Sequence, residues 1–216
     1  MDGQPRTATS TITQLLNYAV VVSAVAIKSC YYQLRRISSV RKYLSTEATV
    51  KLVTSLILSH LDYCNSLLSG RPASSVQSLR RIQDCAARLI LKKKNKKNKH
   101  TRQTDHITPL FKFLHWLPIQ QRIQYKINTL CYKCVMGTAL SYLCDCLQLY
   151  TPSRILRSAC DTLSLQIPLS RLFTIGSRVS SVFGPSTGND LPLPLRQKAS
   201  LDSFKFNLKT FLFPKL

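Results

Sequence analysis

A chain of 216 residues with 44% apolar content is long enough to bury one sizeable core or two small ones, which excludes a disordered tail. Its 31 lysines and arginines against 9 aspartates and glutamates leave a formal charge of +22, an excess that repels itself unless polyanions or counterions screen it. Nucleic acid is the first partner to consider, because neutralising phosphates releases condensed counterions, and an anionic membrane surface is the second.

In chain order, Leu15 to Ile27 is an apolar run containing Ala24-Val25-Ala26, the outline of a signal-cleavage site. With Asp2 beside Arg6 it has no clear basic n-region, and at about 13 residues it is too short to span a bilayer. The run reads as the start of a helix over 12–37 that continues through Cys30-Tyr31-Tyr32-Gln33-Leu34-Arg35-Arg36, with a cleaved signal as the alternative. Ser45 is placed to cap a second helix, in which Val50, Val53, Ile57, Leu61, Cys64 and Leu68 recur at three- and four-residue steps until Gly70 closes it. Pro72 fits the first turn of a third helix. There Val76, Leu79, Ile82, Ala86 and Leu89 form the apolar stripe, while Arg80, Asp84, Arg88 and Lys92 line up on a wet face.

The run Lys92-Lys93-Lys94-Asn95-Lys96-Lys97-Asn98-Lys99-His100 contains no apolar residue to anchor it, so a basic flexible loop is predicted over 92–105. It is the expected boundary between a helical region, 20–91, and a helical and proline-rich region, 106–216. Ile107-Thr108-Pro109-Leu110 starts a short helix, and Pro118 opens a longer one with Ile119, Ile123, Ile127, Leu130 and Cys134 on one side and Gly137 at its end. Pro152, Pro168, Pro185, Pro192 and Pro194 then argue against long helices and for loops with short extended pieces such as Leu163 to Ile167. From Ser200 onward, Leu201, Phe204, Leu208 and Phe211 face inward and Lys205 and Lys209 outward, the pattern of a docked amphipathic helix. The fold class is mainly α: a helical module followed by a helix/loop portion with a few short extended segments.

A polymerase needs at least two close carboxylates to hold its two Mg²⁺ ions. The acids here are scattered singly; Leu61-Asp62-Tyr63 is the nearest approach to an aromatic-x-Asp-Asp motif, with one carboxylate in the wrong order on a predicted helix. No catalytic residue is assigned. Cys131-x-x-Cys134 with Cys144-x-Cys146 invites a zinc reading, but Cys131 and Cys134 fall on or beside an apolar stripe and Cys-x-Cys spacing suits a zinc knuckle poorly. Buried thiols are the expectation, with no metal and no cofactor. The other cysteines, Cys30, Cys64, Cys85 and Cys160, fit the same reading, and together they suit a reduced nuclear or cytoplasmic compartment. His60, His100 and His106 have no obvious Ser or Cys partner for nucleophilic catalysis.

The basic residues are the strongest functional signal. Arg80, Arg81 and Arg88, then Lys92, Lys93, Lys94, Lys96, Lys97, Lys99 and Arg102, form a candidate surface for phosphate contacts without sequence readout. A solvated lysine-rich insertion is the plainer alternative, and Arg80 and Arg88 are also spaced to pair with Asp84. Tyr31 and Tyr32 beside Arg35 and Arg36 offer stacking plus charge. A helix that must pack somewhere is expected to bury such tyrosines instead.

Several runs, in order, carry a family resemblance: Ser29-Cys30-Tyr31-Tyr32-Gln33-Leu34-Arg35-Arg36-Ile37, Leu58-Ser59-His60-Leu61-Asp62-Tyr63-Cys64-Asn65-Ser66-Leu67-Leu68, and Leu79-Arg80-Arg81-Ile82-Gln83-Asp84-Cys85-Ala86-Ala87-Arg88-Leu89. They continue with His106-Ile107-Thr108-Pro109-Leu110, Leu114-His115-Trp116-Leu117-Pro118, Tyr150-Thr151-Pro152-Ser153-Arg154 and Ser203-Phe204-Lys205. From about residue 20 onward the chain resembles the C-terminal region of non-LTR retrotransposon reverse transcriptases of the LINE and jockey-like kind, each run weak alone and specific in series. The resemblance implies a thumb-side segment of an RNA-directed DNA polymerase, following a palm that lies upstream, and lending support to template and primer. Residues 1–19 look unlike the family.

Two departures stand out. Where the family places Trp-Asn before Leu-Pro-Leu, this chain has Gly188-Asn189-Asp190-Leu191-Pro192-Leu193, and its lysine-rich loop is longer and more basic than the pattern. Both suit a decayed element copy whose reading frame is still open. Non-specific RNA or DNA binding is thus one expected activity and an inert remnant with no selected function is its rival; a polymerase given its palm in trans ranks behind both.

Overall fold

The computed structural model describes residues 6–63, 65–91, 106–151, 164–169 and 180–213, and these are mainly α-helical. The chain divides into two compact units, Met1–Leu68 with Pro72–Ile119, and Ser69–Arg71 with Gln120–Leu216.

The first unit begins with α1, Arg6–Val40, longer at both ends than the apolar run alone predicts. Its inward face steps through Cys30, Leu34 and Ile37, all buried, at the spacing that stacks side chains on one side of a helix. Ser45 caps α2, Thr46–Val53, by accepting the Ala48 N–H at 3.0 Å. The predicted second helix is not uniform. It passes through a π-helical turn, Thr54–Leu58, into α3, Ser59–Asp62, then ends at Tyr63, whose ψ of 123° is extended, before a 3-10 turn at Asn65–Leu68. Ile57 and Leu58 of the π turn are both buried, and Cys30 Sγ approaches the Ile57 carbonyl at 3.8 Å. An extra residue in the turn brings consecutive side chains to the interior, which a strict helical step does not.

Helix α4, Ala73–Leu91, buries the expected stripe of Val76, Leu79, Ile82, Ala86 and Leu89 and adds Gln83 and Ile90. Each large apolar side chain taken from water contributes about 1.5–3 kcal/mol. Helix α5, Thr108–Leu114, has Pro109 in its first turn and His115 in the left-handed conformation at its end. Gln83, fully buried, donates from Nε2 to the Leu117 carbonyl at 2.8 Å, tying α4 to the segment after α5.

One buried cation was not legible in the sequence. Arg41 is 6% exposed and donates to the carbonyls of Leu89 (3.1 Å), Ile90 (2.7 Å) and Leu44 (3.1 Å). The last carbonyls of a helix lack intrahelical donors and sit at the negative end of its dipole, so a guanidinium there answers both needs. Burial lowers the Arg41 pKa, but a guanidinium keeps its charge.

Helix α6, Ile119–Val135, belongs from Gln120 onward to the second unit and buries Ile123, Ile127, Cys131 and Tyr132. The inward row therefore advances by four residues to Cys131; Leu130, predicted to face inward, is 36% exposed and Cys134 is half-buried. Gly137, at φ 65°, closes the helix as expected. After α7, Ser141–Cys144, Leu149 and Leu165 form an isolated antiparallel bridge, consistent with the extended piece predicted there.

The proline-dense region nevertheless holds a ten-residue helix, α8, Ser180–Asn189, with Pro185 inside it. Proline removes one donor, leaving the Ser181 carbonyl without its helical partner, yet packing holds the helix. Gly184 lies so close to Cys131 that an added Cβ would sit 2.9 Å from Sγ. The Asn189 amide clamps Leu165, accepting its N–H at 2.8 Å and donating to its carbonyl at 2.9 Å. Then follow α9, Leu193–Arg196, and α10, Leu201–Leu212, whose Phe204 and Leu208 are buried as predicted, with Leu212 rather than Phe211 completing the row. The Phe204 ring stacks on Tyr132, centroids 4.2 Å apart, and the Tyr132 hydroxyl donates to the Lys198 carbonyl at 2.6 Å.

Candidate nucleic-acid interface

Helix α4 turns its apolar stripe inward, which leaves Arg80 and Arg81 exposed; among the described residues neither makes a hydrogen bond or ion pair. Arg88 is half-buried and is engaged within the protein. Between them Asp84 is half-buried, and among the described residues no hydrogen bond reaches its buried Oδ1. Burial raises the Asp84 pKa, and the nearby Arg80 and Arg88 charges offset part of that rise. Arg80 thus influences Asp84 through space without being consumed in a pair. Lys92, Lys93, Lys94, Lys96, Lys97, Lys99 and Arg102 lie outside the described residues. By chain continuity the run begins directly after Leu91, the last residue of α4.

A second basic surface lies on α1. With Cys30, Leu34 and Ile37 turned inward, Lys28, Tyr31, Tyr32, Arg35 and Arg36 are all exposed. The expectation that the tyrosines are buried is overturned: Tyr32 is 56% exposed and Tyr31 36%. The sequence held the signal, because the inward row of residues 30, 34, 37 and 41 leaves 28, 32, 35 and 36 on the opposite side. Arg36 Nη1 donates to the Tyr32 hydroxyl at 3.2 Å, and its guanidinium carbon stands 5.7 Å from the ring centroid. Beyond the helix, Lys42 Nζ is 4.7 Å from the centroid of the 77% exposed Tyr43 ring. Sequence reasoning missed Lys42 and Tyr43, which stand outside any periodic helix pattern.

The remaining chemistry is sparse. Burial raises the thiol pKa of Cys30 to about 11 and of Cys131 to about 12, and burial together with the Cys144 and Cys146 thiols raises Cys134 to about 11. Thiols held so high are protonated near neutrality, since burial disfavours the thiolate; the expectation of buried thiols holds for Cys30 and Cys131 and fails at Cys85 and Cys146, which are exposed. Among the described residues, no group of three or more His, Cys, Asp or Glu is placed to hold a metal ion. A small cleft in the second unit is walled by Cys131, Tyr132, Leu165, Gly188, Leu191 and Phe204, with Asn128 and Arg196 at its polar edge. Among the described residues that wall it there is no carboxylate, and burial holds the Cys131 thiol protonated. Among the described residues, no helix is long and apolar enough to cross a membrane. Compared with protein-family models, with curated proteins and with solved structures, the chain finds no match in any of the three.

Proposed function

We propose that this chain is the thumb-side region of a LINE or jockey-like reverse transcriptase and binds RNA or DNA without sequence preference, with no polymerase chemistry of its own. The observation that carries the binding is the pair Arg80 and Arg81, exposed on α4, the helix that leads into the lysine-rich run, in a chain of net charge +22; Arg80 acts on Asp84 only through space, so both guanidiniums stay open to phosphate. Exposed guanidiniums reach phosphate oxygens bidentately, and phosphate contacts carry affinity but no sequence information. The family assignment is supported by the ordered runs. Two of them are held together physically, since Gln83 of one bonds the Leu117 carbonyl of another at 2.8 Å. The absence of polymerase chemistry is supported by the single, scattered acids, which give no pair to hold two metal ions.

The test is equilibrium binding to labelled RNA and DNA of several unrelated sequences at about 50 and 200 mM salt. Affinities that agree across sequences and fall steeply with salt are expected. No binding at low salt would favour the inert-remnant reading, which the Gly188-Asn189-Asp190 departure already suits. Primer extension surviving removal of contaminating polymerases would overturn the non-catalytic reading.

A further inference from the structure

We infer that the exposed end of α1 and the turn after it form a stacking site for single-stranded RNA or DNA, with the Tyr32 and Tyr43 rings taking bases and Lys28, Arg35, Arg36 and Lys42 taking the flanking phosphates. The inference rests on the nucleic-acid reading above and adds which form of nucleic acid is preferred and which residues select it.

What sets two exposed rings apart, one near the end of α1 and one in the turn after it, is that each lies beside a cation. Tyr32 is 56% and Tyr43 77% exposed. The Arg36 guanidinium hydrogen-bonds the Tyr32 hydroxyl and stands 5.7 Å from its ring centroid, while Lys42 Nζ stands 4.7 Å from that of Tyr43. Such contacts fix the rings while leaving a charge beside each. Arg41 sets the position of the second pair, because its three bonds to the Leu44, Leu89 and Ile90 carbonyls hold the chain next to Lys42 and Tyr43. The charge is one-sided: from residue 3 to residue 46 there is no Asp or Glu, and the next acid, Glu47, is bonded to Lys51 at 2.7 Å. A polyanion is therefore the complementary partner. The rings narrow the choice further. Bases inside a duplex are already stacked on one another, whereas an unpaired base offers its face to an aromatic ring without regard to its identity.

The experiment uses the full chain and fluorescence anisotropy with labelled oligo(U), oligo(dT) and a duplex of equal length. Replacing both rings, Tyr32→Ala with Tyr43→Ala, is expected to weaken single-strand binding about tenfold or more and to leave duplex binding and the salt slope unchanged. Tyr32→Phe with Tyr43→Phe keeps the rings and restores single-strand affinity. The oligo(U) and oligo(dT) arms differ in the sugar and in the base 5-methyl group, and a preference for either sustains the stacking site. Equal losses on single strand and duplex would overturn the inference, as would displacement of oligo(U) by polyglutamate of equal charge as readily as by unlabelled oligo(U). If wild type binds none of the three probes, the nucleic-acid reading itself fails. If wild type binds and the Ala variant binds single strands equally well, only the stacking site fails.

Discussion

The two compact units solve the same problem, fixing a helix in place, with opposite chemistry. At the end of α4 a long charged side chain reaches in: Arg41 bonds three carbonyls, and its neighbours Lys42 and Tyr43 are left outside. At α8 a side chain is removed instead, and Gly184 lets the helix backbone settle against Cys131 while the Asn189 amide holds Leu165. The comparison shows that high net charge is not confined to the surface in this chain. Among the described residues Arg41 belongs to the first unit's interior, and the binding proposed above rests on exposed cations instead.

The largest expected effect comes from breaking the first device. Arg41→Ala leaves three carbonyls without their donor and should cost about 3–5 kcal/mol, each stranded buried acceptor costing roughly 1–3 kcal/mol when relaxation is incomplete. Chemical denaturation reads it directly. A loss below about 1 kcal/mol would mean that water replaces the guanidinium and that Arg41 belongs with the exposed cations.

The second device makes a paired prediction within one helix. Gly184→Ala pushes a methyl to 2.9 Å from Cys131 Sγ, and overpacking of that kind costs about 1–3 kcal/mol. Gly188→Ala meets only Leu165 Cδ1 at 3.4 Å, the end of a flexible side chain, so the gain in helix propensity, up to about 1 kcal/mol, should roughly offset the crowding. Combining Gly184→Ala with Cys131→Ala should recover more stability than the single changes predict if they act independently. Equal penalties at the two glycines would show that close approach to Cys131 is not what requires Gly184.

What the sequence discloses follows from the range of the interaction. Ser45, Pro109, Pro118, Gly137 and Ser200 mark helix ends through local backbone rules, and those ends fall at or beside the predicted residues. Arg41 is different in kind, because its partners at Leu89 and Ile90 lie 48 and 49 residues away. The same holds for α8, where proline content argues for a loop and contact with Cys131 and Leu165 decides for a helix. Three- and four-residue steps both fit an apolar stripe in the sequence of α6, whereas the buried row through Ile119, Ile123, Ile127 and Cys131 uses fours alone and leaves Leu130 exposed. At the candidate interface, Arg80 and Arg81 were legible because a clear apolar stripe fixes the opposite face. Tyr31 and Tyr32 are exposed because the step of Cys30, Leu34 and Ile37 already supplies the face that α1 packs.

A smaller effect separates charge that serves the fold from charge that does not. Burial sets the folded pKa of Asp84 above its ordinary value of 3.8, so the folded chain holds that proton more tightly than the unfolded chain. Stability is then greatest below the unfolded pKa and declines as pH rises through the folded one. Asp84→Asn should therefore be more stable than wild type near neutrality, with the difference vanishing at acid pH. Thermal melts across that range check it, and a destabilised Asn variant at neutral pH would mean that the Arg80 and Arg88 charges outweigh burial.

The central claim, that the cations left outside serve phosphate, is tested most directly by the slope of log affinity against log salt. Wild type is compared with a variant in which Lys92, Lys93, Lys94, Lys96, Lys97 and Lys99 are neutralised, and with Arg80→Gln combined with Arg81→Gln. Each phosphate contact on duplex DNA contributes about 0.9 to the slope, so both variants should have shallower slopes and weaker binding, uniform across sequences, with folding stability little changed. Slopes equal to wild type in both variants would contradict the account and leave these residues as solvated charge.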